Sequence, residues 1–380
     1  MKFLLACTIA ITAALLLILS SCSEDPGPAG IGLLPARDSV KIINATNTST
    51  YDSSYLYRIN GTSGSLLTGL SNGIEARTLL GFTGFAAIPP TEILDSVTLT
   101  LVINYRFHDS TGTLAFQVRN ILRPFTPATF TWDSLNVPGT FSDTISGTFS
   151  QSITPLDSAV TVRLDTTLIR QYISANQGSI MFLPQGSIVA GFSNLANIFI
   201  NYRPLLTTYY HDSLGTTGSL SLRPAWALFV ADGIIPTPPD RITLQAGICD
   251  RGILRFDSIS VPAKASITQA TLQLIADTLQ SVTNSFSNDN ISASLLLKTV
   301  FPYDSVLFST SLVPGYVNGQ KVYQANIRFI VQQWFLSVAT RDILLKTAGE
   351  PTTLDKLVVF GSRSPAALRP KLLITYSLLP

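Results

Sequence analysis

The fold is indicated most directly by residues 96–103, SVTLTLVI, in which apolar and hydroxyl side chains alternate. Val97, Leu99 and Leu101 fall on every second position, and successive side chains of a β-strand point to opposite faces. The stretch therefore predicts a strand with one buried face and one polar face. Residues 270–274, ATLQL, repeat the alternation and predict a second strand of this kind.

These two strands belong to an internal repeat. Residues 77–82, RTLLGF, precede the first strand, and residues 251–256, RGILRF, precede the second, in each case followed by a turn that contains proline. Each half closes on Arg-Pro and a hydrophobic run that ends at tyrosine, in residues 203–210 and 369–376. The blocks recur in the same order at a nearly constant offset, which is typical of a duplicated unit.

The distribution of residues favours β-sandwiches. Apolar runs rich in Val, Ile, Thr, Leu and Phe are separated by Gly, Pro, Asn, Asp and Ser, with little helical periodicity. We therefore expect an all-β chain with two tandem jelly-roll-like antiparallel β-sandwiches, at residues 37–210 and 219–380, joined by a linker at 211–218. Two exceptions, Thr166–Ala175 and Ile327–Ser337, are each predicted to form a short helix or turn that crosses a sandwich.

The first residues predict export. Lys2 precedes an apolar run that ends in Leu-Ser-Ser-Cys at Cys22, which resembles the lipobox of bacterial lipoproteins, whose cysteine is diacylated. We expect a signal peptide at 1–21, followed by a lipidated Cys22 and a flexible tether at 22–36. The alternatives are a plain signal peptide or a short transmembrane anchor. Two or three acyl chains would attach the protein stably to a membrane.

The cysteine count and the charge exclude several kinds of chemistry. The signal removes Cys7 and lipid occupies Cys22, so Cys249 has no partner for an intrachain disulfide and is expected to be a small buried hydrophobe. The net charge of the 380 residues is +2, and only 13% of them are charged, against ~25% in typical soluble domains. No basic run is present, so nucleic acid is not an expected partner.

Candidate catalytic groups are scarce. The two histidines lie in His-Asp-Ser triplets at 108–110 and 211–213. Neighbouring side chains of a strand face opposite ways, so three adjacent residues do not form a catalytic triad. Each triplet is followed by glycine within a few residues, which favours a hairpin loop. Four glutamates are present, and no aspartate spacing singles out a glycosidase pair. No metal or other cofactor is expected. The one alternative is Ca²⁺ at residues 288–290, NDN, a segment that is more typical of a turn.

The repeated blocks resemble the DNRLRE-type domain. Besides the Arg-x-Leu/Ile-Leu-x-Phe and Thr-Leu-x-Leu segments, the resemblance rests on residues 129–133 (TFTWD), 331–334 (VQQW) and 369–376 (RPKLLITY). It covers most of residues 60–210 and 241–377. The resemblance implies jelly-roll β-sandwiches like those of secreted and surface proteins, some of which are carbohydrate-binding modules.

The segment after Cys22 resembles lipoproteins of the Bacteroidota. The acidic residues in Ser23-Glu24-Asp25 are similar to the surface-export signal of those proteins. Residues 32–35, GLLP, resemble the start of uncharacterised lipoproteins of that phylum. The resemblance implies an outer-membrane protein exposed on the cell surface, with a periplasm-facing protein as the alternative.

Three tryptophans are the candidates for contact with a sugar, because planar rings stack on sugar faces. Trp132 and Trp334 fall inside the repeated blocks and are expected in the core, and Tyr172 of the first half stands near the position of Trp334. Trp226 lies between the halves, outside the repeated pattern, and is the candidate ligand-binding residue. The alternative for Trp226 is a strand position, because residues 227–230 form a strand-like run.

Aspartate is followed directly by Ser or Thr in 12 of 19 cases, an excess that asks for an explanation. Short polar side chains at strand ends, where they cap turns, account for part of it. The pattern Asp-Ser/Thr followed by an apolar residue also resembles the O-glycosylation sequon of exported Bacteroidota proteins. It predicts candidate acceptors at four serines: Ser96, Ser134, Ser258 and Ser305.

Together these features predict a non-catalytic, lipid-anchored protein of the cell envelope. It is expected to bind glycan or to serve adhesion or envelope structure, with polysaccharide or envelope proteins as partners. Two alternatives stay open at this point. One is a polysaccharide hydrolase or lyase that uses Asp or Tyr groups assembled by the fold, and the other is a periplasm-facing structural lipoprotein without a ligand.

Overall fold

The chain is all-β, with its strands arranged in two sheets of eleven strands each. The computed structural model describes residues 41–378, except 63, 89–90, 234–235, 237, 263–264, 284–288 and 337–339. The predicted signal peptide, Cys22 and the tether therefore lie outside the described residues. Within the described part of the chain, every helix is too short or too polar to cross a membrane.

The first sheet is closed on itself, because β10 (Val189–Ser193) pairs both with β3 (Ser65–Ser71) and with β5 (Ile93–Phe107). An additional strand, β13 (Trp226–Gly233), pairs with β4 (Ile74–Thr83). Across the sheet, the hydrogen-bonded order of the other strands is β12 (Thr217–Leu222), β11 (Leu205–His211), β5 (Ile93–Phe107), β8 (Ala159–Leu164), β7 (Phe141–Ile153), β6 (Gly112–Ile121), β9 (Gln177–Pro184), β4 (Ile74–Thr83), β3 (Ser65–Ser71) and β10 (Val189–Ser193).

The second sheet has an additional strand of the same kind, because β2 (Tyr51–Leu56) pairs with β15 (Asp250–Arg255). Across the sheet, the hydrogen-bonded order of the other strands is β1 (Lys41–Thr48), β22 (Lys371–Leu378), β16 (Ser266–Ile275), β19 (Gln320–Asn326), β18 (Val306–Val317), β17 (Ile291–Leu296), β20 (Asp342–Thr347), β15 (Asp250–Arg255), β14 (Arg241–Gln245) and β21 (Lys356–Phe360).

The two sheets have the same strand order, position by position. Each strand from β3 to β11 in the first sheet corresponds to the strand eleven places later in the second. The other two are exchanged: β12 and β13 complete the first sheet, and β1 and β2 occupy the same places in the second. Each half of the chain therefore lends its two leading strands to the sheet of the other half.

This exchange departs from the predicted boundaries of 37–210, 211–218 and 219–380. The strands at 41–48 and 51–56 belong to the second sheet rather than the first, and those at 217–222 and 226–233 belong to the first rather than the second. The physical reason is that alternation along a strand reports which of its faces is buried. It carries no information about which strand edge supplies the hydrogen bonds.

The predicted alternating strands form the centre of each core. Leu99 and Leu101 on β5 are fully buried, as are Leu272 and Leu274 on β16. Each set lies in its own apolar cluster, one for each sheet. The sequence prediction of these two strands is thus confirmed, and their apolar faces point into separate cores.

Both predicted helices are present at almost the predicted bounds, as α2 (Thr166–Ala175) and α3 (Arg328–Leu336), while a single turn, α1 (Trp132–Leu135), precedes them. The Asp165 carboxylate begins α2 by accepting a hydrogen bond from the Thr167 amide (2.9 Å). Asn326 begins α3 in the same way through the Arg328 amide (3.0 Å). Each helix buries one aromatic ring against its sheet, at the corresponding positions Tyr172 and Trp334.

The repeated Arg-Pro pair has a common structural role. The Arg203 side chain donates from Nε to the carbonyl of Asn197 (2.9 Å), and Arg369 donates from Nε to the carbonyl of Ser364 (2.8 Å). In both halves the arginine fastens the preceding loop, and the proline stands directly before the final strand of the repeat, β11 or β22.

A third apolar cluster joins the two halves. It packs Phe107 and Phe229 of the first sheet against Ile248 and Leu354. The Tyr105 hydroxyl crosses the same junction, where it accepts a hydrogen bond from the Leu354 amide (3.2 Å) and lies 3.3 Å from an Asp355 carboxylate oxygen. The halves are therefore held by packing and hydrogen bonds as well as by the exchanged strands.

The connection from β2 to β3 runs through this junction. Gly61 exchanges two backbone hydrogen bonds with Phe229, each of 2.9 Å. A Cβ atom on Gly61 would lie 1.8 Å from the Phe229 ring, so no larger residue fits without displacement of that ring. Arg58 ties the same connection to β13 through the Asp232 carboxylate (2.6 Å). The backbone can cross here only because residue 61 lacks a side chain.

Two buried groups lie on the β15 side of the junction. Arg251 forms a bidentate pair with the Glu350 carboxylate, with both N–O distances at 2.7 Å, and its guanidinium lies 4.0 Å from the centre of the Tyr57 ring. Cys249 is fully buried, which confirms its prediction as a small hydrophobe, and burial raises the pKa of its thiol.

We predict that Gly61→Ala destabilises the protein by about 1–3 kcal/mol, because the added methyl group forces the Phe229 ring out of its packed position. The free energy of unfolding in urea measures this. Gly315→Ala is the matched control, since the nearest atom to its added Cβ is the Gln324 amide nitrogen at 4.0 Å. Equal stability of the two variants would contradict the proposed close approach.

A second prediction concerns Asp250. Burial raises the pKa of its carboxyl group to about 6, although the nearby Arg58 and Lys356 act to lower it. The unfolded carboxyl titrates near ~3.9, so between about pH 4 and pH 6 the folded chain binds more protons. This group therefore lowers stability by up to about 3 kcal/mol as the pH rises through that window. The free energy of unfolding is measured in urea at pH 4 and at pH 7. We expect Asp250→Asn to remove this contribution to the difference between the two values, whereas the exposed control Asp304→Asn should retain it.

Candidate functional site

The strongest candidate site is a half-open cleft of about 440 Å³ on the first sheet, here called the Trp226 cleft. Strands β4 and β9 contribute to it, together with α2, the start of β13, the end of β6 and the loop that follows β6. It is lined by Phe82, Thr83, Asn120, Ile121, Leu122, Arg123, Pro124, Phe125, Gln171, Tyr172, Ala175, Gln177, Gly178, Ser179 and Trp226. One wall, Trp226, is thus supplied by an exchanged strand.

Trp226 is placed by a glycine opposite it. In the register of β13 with β4, Trp226 pairs with Gly81, and a Cβ atom on Gly81 would lie 2.0 Å from the indole ring. The Phe125 ring meets the indole edge to face, with 5.1 Å between centres. Trp226 is half-buried, so the structure brings the predicted ligand-binding residue into a cleft and also confirms its position on a strand.

Tyr172 forms the second aromatic side of the cleft. Its ring covers Gly178, where a Cβ atom would lie 2.2 Å from the ring. The Tyr172 hydroxyl lies 2.6 Å from Asn120 Oδ1 and 2.8 Å from the carbonyl of Ser179, within hydrogen-bonding distance of both. Burial raises the pKa of Tyr172, so the hydroxyl keeps its proton and orients the Asn120 amide.

The rim of the cleft is polar and rich in donors. Arg123, Gln171 and Gln177 are exposed, and their side chains make no hydrogen bond or ion pair with the described residues. The described lining residues include no Asp, Glu, His or Cys. The cleft can therefore offer amide and guanidinium groups to a polar ligand, beside two aromatic rings.

The corresponding place in the second sheet is filled. The pairing of Gly81 with Ser179 in the first sheet corresponds to that of Arg255 with Asp342 in the second. Arg255 binds the Asp342 carboxylate through two nitrogens, at 2.6 and 2.9 Å. In the second half an arginine and a carboxylate thus occupy the place where, in the first half, the Trp226 ring lies over Gly81 and Ser179 lines the cleft.

The other two tryptophans differ in their surroundings. Trp334 is buried in the core of the second sheet, as predicted. Trp132 is half-buried at the edge of an apolar cluster, and the Arg77 guanidinium lies 4.7 Å from the centre of its ring. Neither tryptophan lines the Trp226 cleft.

The four candidate glycosylation serines have unequal exposure. Ser258 is exposed in a loop, whereas Ser96, Ser134 and Ser305 are half-buried. The Ser134 hydroxyl accepts a hydrogen bond from the Thr131 amide (3.1 Å) at the start of α1. Capping of this kind is the turn chemistry that accounts for part of the Asp-Ser excess, while O-glycosylation stays a prediction.

The histidine triplets and the calcium candidate do not assemble a site. His108 lies in the bend after β5, with Nδ1 at 2.9 Å from its neighbour Asp109, and His211 ends β11, with Nδ1 at 2.6 Å from Asp95. The Asp289 carboxylate accepts a hydrogen bond from Lys321 (2.7 Å), and residue 288 lies outside the described residues. Across the described ranges, no three His, Cys, Asp or Glu side chains are grouped to hold a metal ion.

Comparison with known proteins adds no family. No family model matches this chain, and no curated protein matches it. Among solved structures, that of the Macrobrachium rosenbergii nodavirus is 9% identical, with 94% of this chain and 96% of that chain covered and a TM-score of 0.16. The broad bean stain virus structure is 10% identical, with 94% of each chain covered and a TM-score of 0.18. Scores this low carry no structural argument.

Sequence reasoning missed Asn120, Arg123 and Tyr172 as site residues. A signal was present in the repeat itself, because the blocks RTLLGF and RGILRF differ at one decisive position. Glycine stands at 81 where the second half has arginine at 255, and a glycine in a strand marks a close approach. The approaching group, Trp226, could not be read from the sequence because it arrives on an exchanged strand.

We predict that Tyr172→Phe destabilises the protein by about 1–2 kcal/mol, because it leaves the carbonyl of Ser179 and the Asn120 amide without the hydroxyl. Urea unfolding measures the change. Tyr209→Phe is the control, since Tyr209 is exposed and its hydroxyl has no partner among the described residues. A Tyr172→Phe protein as stable as this control would show that the hydroxyl does not support the cleft.

Proposed function

We propose that this chain is a non-catalytic, lipid-anchored protein of the outer membrane, exposed at the cell surface, that binds glycan in the Trp226 cleft. The proposal includes two tandem jelly-roll-like sandwiches as the scaffold and polysaccharide as the partner. The observation that carries it is the cleft, where aromatic rings stand beside amide and guanidinium groups that no other side chain uses.

This combination suits a sugar for a physical reason. A sugar ring has an apolar face that packs on aromatic surfaces, and hydroxyl groups around its edge that need hydrogen-bond partners. Trp226 contributes aromatic surface, while Gln171 and Gln177 contribute amides that both donate and accept. The half-open shape also admits part of a longer chain.

The enzyme alternative is less well supported at this cleft. Glycoside hydrolysis commonly uses two carboxyl groups within about 10 Å of each other, one on each side of the bond that breaks. The described residues that line the Trp226 cleft include no carboxylate. A hydrolase or lyase would therefore need a catalytic site elsewhere on the surface.

The membrane anchor and the surface location rest on the sequence of residues 1–36. A lipid on Cys22 would tether the sheets without a spanning segment, and the acidic residues after it favour export to the surface. The structural, periplasm-facing alternative is distinguished by protease treatment of intact cells. Degradation of the protein supports surface exposure, and full protection contradicts it.

The glycan-binding proposal is tested with the full chain purified in detergent. We expect it to bind polysaccharides on a glycan array, and Trp226→Ala to weaken a confirmed ligand at least tenfold in calorimetric titration. Gln171→Ala and Gln177→Ala test the same cleft at exposed positions that do not support folding, and Tyr209→Ala is an aromatic control outside the cleft. The absence of any glycan ligand, or unchanged affinity in all three cleft variants, would overturn the proposal.

A further inference from the structure

We infer that the Trp226 cleft selects acidic glycans, and that Arg123 is the residue that reads their negative charge. The ligand class is a sugar chain that carries carboxylate or sulfate groups. This inference rests on the proposed glycan-binding function and narrows it to a substrate class. Arg123 would be a specificity-determining residue, while Trp226 provides the surface on which the sugar ring lies.

The first argument is that Arg123 is not occupied within the protein. Its guanidinium forms no hydrogen bond, ion pair or ring contact with the described residues, and it is exposed at the rim. Arginines on the neighbouring strands are engaged: Arg77 donates to the Glu75 carboxylate (2.6 Å), and Arg119 donates to Gln117 (2.7 Å). The donors of Arg123 are thus left for an external acceptor.

The second argument is that the backbone of Arg123 is held in place although its side chain is free. The amides of Leu122 and Arg123 both donate to the carbonyl of Thr140, at 2.9 and 3.4 Å. Pro124 follows directly and restricts the backbone further. A fixed backbone limits the entropy that is lost when the side chain binds a ligand.

The third argument concerns the charge of the cleft. Its described lining residues include one cation and no anion, so a negative ligand meets no repulsion from them. Asn120 Oδ1 faces the Tyr172 hydroxyl at 2.6 Å, which leaves the amide nitrogen of Asn120 as the side-chain group available to a ligand. Donors therefore predominate, and carboxylate and sulfate are ligands that offer only acceptors.

The fork of a guanidinium matches the two oxygens of a carboxylate, which makes arginine better suited than lysine to this recognition. The second sheet contains such a pair at the corresponding place, where Arg255 binds Asp342 through two nitrogens. In the first sheet Gly81 and Ser179 stand there instead, the Trp226 ring lies over Gly81, and Ser179 lines the cleft. The cleft of the first half therefore has no carboxylate of its own that corresponds to Asp342, and the cation at its rim is left for an acceptor from outside.

The experiment titrates the full chain, in detergent and at low salt, with uronic-acid and sulfated oligosaccharides and with their methyl-esterified or desulfated forms. We expect the charged form of the preferred sugar to bind at least tenfold more tightly. The preference should shrink as salt is added, because ions screen the attraction. Arg123→Gln should abolish the preference for the charged form, and Arg123→Lys should retain part of it.

Arg170→Gln is the matched control, because Arg170 is exposed, makes no bond with the described residues and does not line the cleft. This variant should keep the full preference for the charged sugar. Equal binding of charged and neutral forms, or a preference that survives in Arg123→Gln, would overturn the acidic-glycan inference while leaving glycan binding intact. Failure to bind any glycan of either class would instead overturn the proposed function, and this inference with it.

Discussion

The hydrogen bonds between exchanged strands are the constraint on which the rest of the structure depends. Without β12 and β13 the first sheet would expose the edges of β11 and β4, and without β1 and β2 the second would expose those of β22 and β15. Unpaired edges leave backbone groups unsatisfied and invite association with other chains. Each half therefore needs the other for a complete set of pairings, and the junction cluster reinforces this dependence.

The exchange also explains why the two halves differ in their surfaces. The strand that covers β4 places Trp226 over Gly81, whereas the strand that covers β15 places Tyr51 opposite Arg255, which is itself held by Asp342. One sheet order thus presents an open cleft in one half and an ion pair in the other. A duplicated scaffold can keep its core while a few positions on the added strands acquire separate roles.

Much of the fold could be predicted from local sequence, because its signals act over short distances. The alternation around Leu99, the short helix at Thr166–Ala175 and the Arg-Pro pairs each depend on residues within about ten positions of one another, and each is found in the structure. Strand partners could not be predicted, since β1 and β22 are separated by more than 320 residues. Of the residues in the candidate site, only Trp226 was predicted from the sequence, because the other members come from elements that the exchange brings together.

The pairing of β1 with β22 has a geometric consequence of its own. Lys41 lies opposite Leu378, so the first and last described residues are neighbours, and the described chain traces an almost closed loop. A load applied through the N-terminal side would act on the strand that is hydrogen-bonded to the C-terminal one. A tether that pulls on the first described strand would therefore act on the last one as well, and the two strands lie side by side at one edge of the second sheet.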